Sequence, residues 1–112
     1  MTVHVDSFQA IAYDTDAVTL IEGPDNGHYA ITSITLYNPN GSAATFIIRK
    51  VVEGDPQEIQ VRRVDDSIPA TDIWEKSLGR PWIVGPLQRY ELVLDATPTL
   101  GIEWCLDFGR LA

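Results

Sequence analysis

Tyr29-Ala30-Ile31-Thr32-Ser33-Ile34-Thr35-Leu36-Tyr37, then Asn38-Pro39-Asn40-Gly41-Ser42, then Ala43-Ala44-Thr45-Phe46-Ile47-Ile48-Arg49-Lys50-Val51-Val52: two runs rich in β-branched and aromatic residues enclose one cluster of turn formers. Such runs suit a pleated, partly buried backbone, and Asn, Pro, Gly and Ser punctuate it. The pattern predicts a β-hairpin across residues 38–42. Gly41 is the residue expected to take positive φ, because only glycine does so without steric cost. Ser33 interrupts the alternation of the first arm, which fits either a bulge or a strand partly covered on both faces. The second arm is nearly continuous apolar from Ala43 to Ile48, as in a strand covered on both faces.

The rest of the chain repeats the theme. Strands are expected over residues 8–13, 17–22, 58–64, 89–95 and 100–108. Turns are expected at Asp14-Thr15-Asp16, Gly23-Pro24-Asp25-Asn26-Gly27, Glu53-Gly54-Asp55-Pro56, Gly85-Pro86-Leu87 and Ala96-Thr97-Pro98-Thr99. The terminal strand alternates most cleanly: Leu100, Ile102, Trp104, Leu106 and Phe108 share one face and require an opposing sheet. Asp65 to Ala70 reads as a connection. Thr71 to Leu78 is the one stretch with helical features, a capping Thr71 and Ile73, Trp74 and Leu78 near one face, but the Gly and Pro crowded after it favour a strand or irregular turn; Pro81 to Val84 reads as a short strand or apolar loop. Seven or eight short strands with turns every 8–12 residues predict an all-β fold, a single antiparallel β-sandwich over residues 1–112, Ig-like or jelly-roll-like.

Composition narrows the function classes. The 112 residues are 45% hydrophobic, enough for one cored domain. Eight Lys and Arg stand against sixteen Asp and Glu, a net charge of −8. Nucleic acid and anionic membranes both demand cationic surface, so neither is an expected partner. Cys105 is the one cysteine, which excludes an intrachain disulfide. The N-terminus lacks the pattern of a signal peptide, and no run is long and apolar enough for a membrane helix.

No motif carries chemistry. His4 and His28 have no partner at ligand spacing. The two Asp-rich loops lack the ligand series of a calcium loop. Pairing of Glu22, Glu53, Glu75, Glu91 or Glu103 for glycoside hydrolysis cannot be read from spacing. No enzyme, cofactor or metal is expected. Asn40-Gly41-Ser42 fits the N-glycosylation acceptor pattern and equally the turn, which is the reading adopted. Trp74 and Trp82 fall in a Pro/Gly-rich region and are candidate protein contacts or plugs at the end of the sandwich. Arg62 and Arg63 beside Asp65-Asp66 form a local ion cluster or a contact patch. Tyr37, closing the first arm, is a further candidate contact.

The run Ile31 to Asn38, its small-residue turn and Ala44 to Ile48 resemble a pattern of small tailed-phage virion proteins. Gly85-Pro86-Leu87, Tyr90-Glu91-Leu92 and a closing Gly101-Ile102-Glu103 strand are similar to their ending. The resemblance implies a β-sandwich structural protein of the virion, made in the host cytoplasm. A head decoration (cement) protein is favoured over a neck or tail protein. Its partners would be the major capsid protein and copies of itself, as a trimer. The alternative is a carbohydrate-binding module with Trp74, Trp82 and Tyr90 as stacking platforms.

Overall fold

The computed structural model of the protein describes residues 5–54 and 57–111. His4, and the part of the expected turn formed by Asp55 and Pro56, lie outside the described residues. Eight strands follow one another: β1 (Val5–Ala12), β2 (Val18–Glu22), β3 (His28–Asn38), β4 (Ala44–Val52), β5 (Ile59–Ile68), β6 (Asp72–Val84), β7 (Gln88–Leu94) and β8 (Ile102–Leu111). They form two four-stranded antiparallel sheets, ordered β1-β8-β3-β6 and β2-β7-β4-β5. Only β4 and β5 are neighbours both in sequence and within a sheet; every other connection crosses between sheets. Eight strands alternating in this way make the jelly roll, so the Ig-like option falls. The molecule is a slab of 43 × 36 × 20 Å.

This topology corrects the expected hairpin. β3 and β4 lie in opposite sheets, and residues 39–43 form a corner between them. Gly41 does not have positive φ; Gly27 (79°), Thr71 (49°) and Leu87 (60°) do. Side chains rather than glycine hold the corner. The amide nitrogen of Asn38 donates to the carbonyls of Ser42 (2.8 Å), Ile68 (3.1 Å) and Pro69 (3.2 Å). Its oxygen accepts from the Asn40 backbone N–H (3.0 Å) and side-chain amide (2.9 Å). Asn40 in turn clasps Leu100, donating to its carbonyl (2.9 Å) and accepting from its N–H (2.7 Å). Both asparagines are buried, and together they tie three loops at one end of the sandwich. An Asn40 amide so enclosed is not available to a glycosylating enzyme.

The core lies between the sheets. Ile102, Trp104, Leu106 and Phe108 of β8 are buried there as alternation requires, but Leu100 precedes the strand and is 55% exposed. Phe46 and Ile48 of β4 point inward, while Ile47 is only half-buried on the opposite face, so β4 is not covered on both sides. Of the two options at Ser33 the bulge is present: the register of β3 shifts between Ile31 and Ser33 against both neighbours.

The largest departure concerns residues 65–84. Asp65 to Ile68 belongs to β5, and Asp72 to Val84 forms one 13-residue strand. Both are edge strands, whose faces are mostly exposed, so their apolar signal is thin. Pro81 is tolerated because it sits at the irregular stretch of β6 between Ser77 and Trp82, where ladder pairing with β3 lapses.

Candidate interaction face

Cross-strand register determines what the outside of the β1-β8-β3-β6 sheet presents. Ile11 stands opposite Glu103, Glu103 opposite Tyr37, and Tyr37 opposite Ile73. The next outward row is Gln9, Cys105, Thr35 and Glu75, and the third is Asp107, Ser33 and Ser77. The first row places three exposed apolar side chains, Ile11 (40%), Tyr37 (36%) and Ile73 (55%), across the full width of the sheet. One more, Tyr13, extends it at the end held by the asparagines. A Cβ on Gly101 would lie 2.2 Å from the Ile11 side chain and 3.1 Å from the Tyr13 ring, so those side chains crowd the strand start. Tyr13 (66%) and Leu100, the residue before Gly101, are both exposed. A row of exposed apolar side chains on a sheet face, interrupted here by Glu103, is a mark of a protein contact, because water leaves apolar surface readily.

The charges in these three rows are all acidic. Glu103, Glu75 and Asp107 lie in the three rows, and no Lys or Arg does. Asp107 accepts a hydrogen bond from the Ser33 hydroxyl (2.8 Å). Burial, and then the Asp107 charge, push the half-buried Cys105 thiol above its ordinary range, which disfavours the thiolate.

The opposite sheet carries the arginines. On its outer face Glu91 is buried and accepts from Arg49 (2.9 Å) and Arg89 (2.8 Å). Arg89 reaches on to Glu58 (3.3 Å) and Glu53 (3.5 Å). Burial raises the Glu91 carboxyl, but the two arginines outweigh it and hold the group below its usual range. This network joins β7, β4 and the β4–β5 connection, and its three carboxylates outnumber its two guanidiniums.

Of the residues singled out from sequence, Tyr37 is the one the fold places on the patch. Trp74 and Trp82 are not on loops. Both project from β6 and are half-buried against the core. The Trp82 ring stacks on Tyr90 (5.3 Å, 7°), and the Trp74 ring meets Phe46 edge-on (5.0 Å) while its indole N–H donates to Asp66 (2.9 Å). Tyr90 is fully buried, so no sugar can stack on it. Arg62 pairs with Asp65 (3.0 Å), the local ion cluster expected. Arg63 is the extra residue where β5 slips against β4. Its charge lies near the Tyr90 hydroxyl, which is buried without a hydrogen-bond partner; burial raises that phenol and Arg63 opposes the rise. Ile11 and Ile73 escaped the sequence reading, because rows assemble from strands distant in sequence. Among the described residues, no group of three or more His, Cys, Asp or Glu is arranged to hold a metal ion.

No protein-family model matches the chain, and no curated protein does. Its fold is similar to that of a chain in the structure of infectious bursal disease virus, Gx strain. The TM-score is 0.54 and the identity 11%, over 96% of this chain and 32% of that one, so this chain spans about a third of that length. A chain in the capsid asymmetric unit of cyanophage Pam1 aligns at TM-score 0.46 and 12% identity, over 96% of this chain and 83% of its own. A chain of the Gt strain of the bursal disease virus aligns at TM-score 0.31 and 11% identity, over 98% and 42%. At these identities the first likeness is one of fold, and the two lower scores fall short even of that.

Proposed function

We propose that this chain is a structural protein of a virus particle, a capsid decoration protein that binds the outside of a tailed-phage head through the outer face of its β1-β8-β3-β6 sheet. The observation that carries the reading is the apolar row Ile11, Tyr37 and Ile73, extended by Tyr13, on a jelly-roll slab. A jelly roll similar in fold to a chain of a virus structure supports it. A role in holding a shell together asks for a stiff slab and one adhesive face, with no chemical step. The partners are the major capsid protein and copies of the chain itself in a trimer.

Mass spectrometry of purified particles, followed by co-sedimentation of the purified chain with particles lacking it, tests this. The chain should be present in the particles. Tyr37→Asp and Ile73→Asp should fold as the parent does and yet stay in the supernatant. Absence of the chain from the particles, or normal sedimentation of both variants, overturns the proposal.

A further inference from the structure

Resting on that docking reading, we infer that the patch takes a different protein whose contact surface is apolar at its centre and ringed by Lys and Arg, and not a second copy of this chain. Glu103 lies within the apolar row itself, between Ile11 and Tyr37, with Glu75 and Asp107 in the next two rows. A face-to-face pair of copies would therefore bring carboxylates together inside an area being emptied of water. Like charges so placed oppose association strongly. A head-to-tail pair would need a cationic surface elsewhere on the molecule. Three of the eight cations are already matched, Arg49 and Arg89 by Glu91 and Arg62 by Asp65, so a head-to-tail pair would have to draw on the remaining five against sixteen acids. Lys76 pairs in register with buried Ile34, so it faces away from the patch. A net charge of −8 adds a general repulsion between copies. Trimer contacts therefore fall outside this face. A basic rim on another protein would meet the acids, speed encounter and fix the register of docking.

Two probe peptides test the inference on the intact chain. One has a Leu-Trp-Leu centre with two lysines at each end, and its twin has glutamates in place of the lysines. Amide NMR cross-peaks of Tyr37, Ile73, Glu103 and Cys105 should move with the lysine peptide and not with the glutamate twin. The shifts should shrink as salt is added. Glu75→Lys/Glu103→Lys, both at exposed positions, should bind the lysine peptide about tenfold more weakly while keeping the parent melting curve. Cys105, on the same face, gives a second readout: its reaction with a thiol reagent at mildly alkaline pH should slow when the lysine peptide is bound.

Equal binding of the twins, or shifts confined to β4, β5 and β7, overturns the inference. So does an oligomer of the parent chain that Tyr37→Asp dissociates, since the face would then be a contact between copies. The docking reading is tested separately by Tyr37→Asp and Ile73→Asp on particles, so either can fail without the other.

Discussion

Asn38 shows how much one side chain can hold. Its amide satisfies three carbonyls from two connections, and its oxygen fixes the turn of Asn40. Asn38→Ala should cost about 2–4 kcal/mol in urea denaturation, because several buried polar groups lose partners at once. Asn38→Asp keeps the shape but turns an acceptor toward those carbonyls, and should cost at least as much. Glycines divide by space rather than by position in a turn. A Cβ on Gly23 would lie 1.7 Å from the Gly85 carbonyl oxygen, whereas one on Gly41 would meet nothing within 4 Å. Gly23→Ala should therefore lower the melting temperature clearly, and Gly41→Ala should leave it within a degree or so. Glu91 gives a pH signature. Its folded carboxyl titrates below the ordinary glutamate value of about 4.3. The group stabilises the fold above that value, and the contribution is lost as pH falls through the lower folded value. Glu91→Gln should cost about 1–3 kcal/mol at neutral pH, since Arg49 and Arg89 are partly solvated. Its deficit relative to the parent should narrow in acid, which denaturation curves at several pH values would show.

Strands fail or succeed according to what covers them. β8 lies between β1 and β3, and its inward side chains meet the opposite sheet. Trp104→Ala should cost about 3–5 kcal/mol and Leu106→Ala about 2–5. Leu100→Ala, just before the strand and largely exposed, should cost well under 1 kcal/mol. β6 is the instructive strand. Ile73, Glu75 and Ser77 face outward while Trp74 and Leu78 pack against the core. Its polar outer face and the irregularity before Trp82 make the sequence look like loop. Trp82 stacks on buried Tyr90, so Trp82→Ala should destabilise the fold by about 2–4 kcal/mol in the absence of any partner. A loss of assembly by that variant is interpretable only after its melting curve is known.

At the scale of the whole molecule, the last strand pairs with the first. β1 gains its ladder only from β8, and β3 is flanked by β8 and β6. Removal of residues 102–112 should therefore abolish cooperative unfolding by circular dichroism, with no folded remnant. Because nearly every ladder joins strands distant in sequence, folding should be slow, in the range of milliseconds to seconds. Stopped-flow refolding in microseconds would contradict the topology.

The sequence by itself determined that the chain is all-β, where most strands lie, which β8 residues from Ile102 to Phe108 face the core, and that acids dominate. Alternation and turn chemistry are local, so a single chain displays them directly. Only the tertiary structure decided pairing. Residues 39–43 are as fit for a sheet corner as for a hairpin, and local turn chemistry does not choose between them; in the fold, β3 and β4 lie in facing sheets with Leu36, Phe46 and Ile48 enclosed between them. The interaction face belongs to the same class of fact. Ile11, Glu103, Tyr37 and Ile73 form one row because four strands from both ends of the chain come into register, and no local pattern encodes that register.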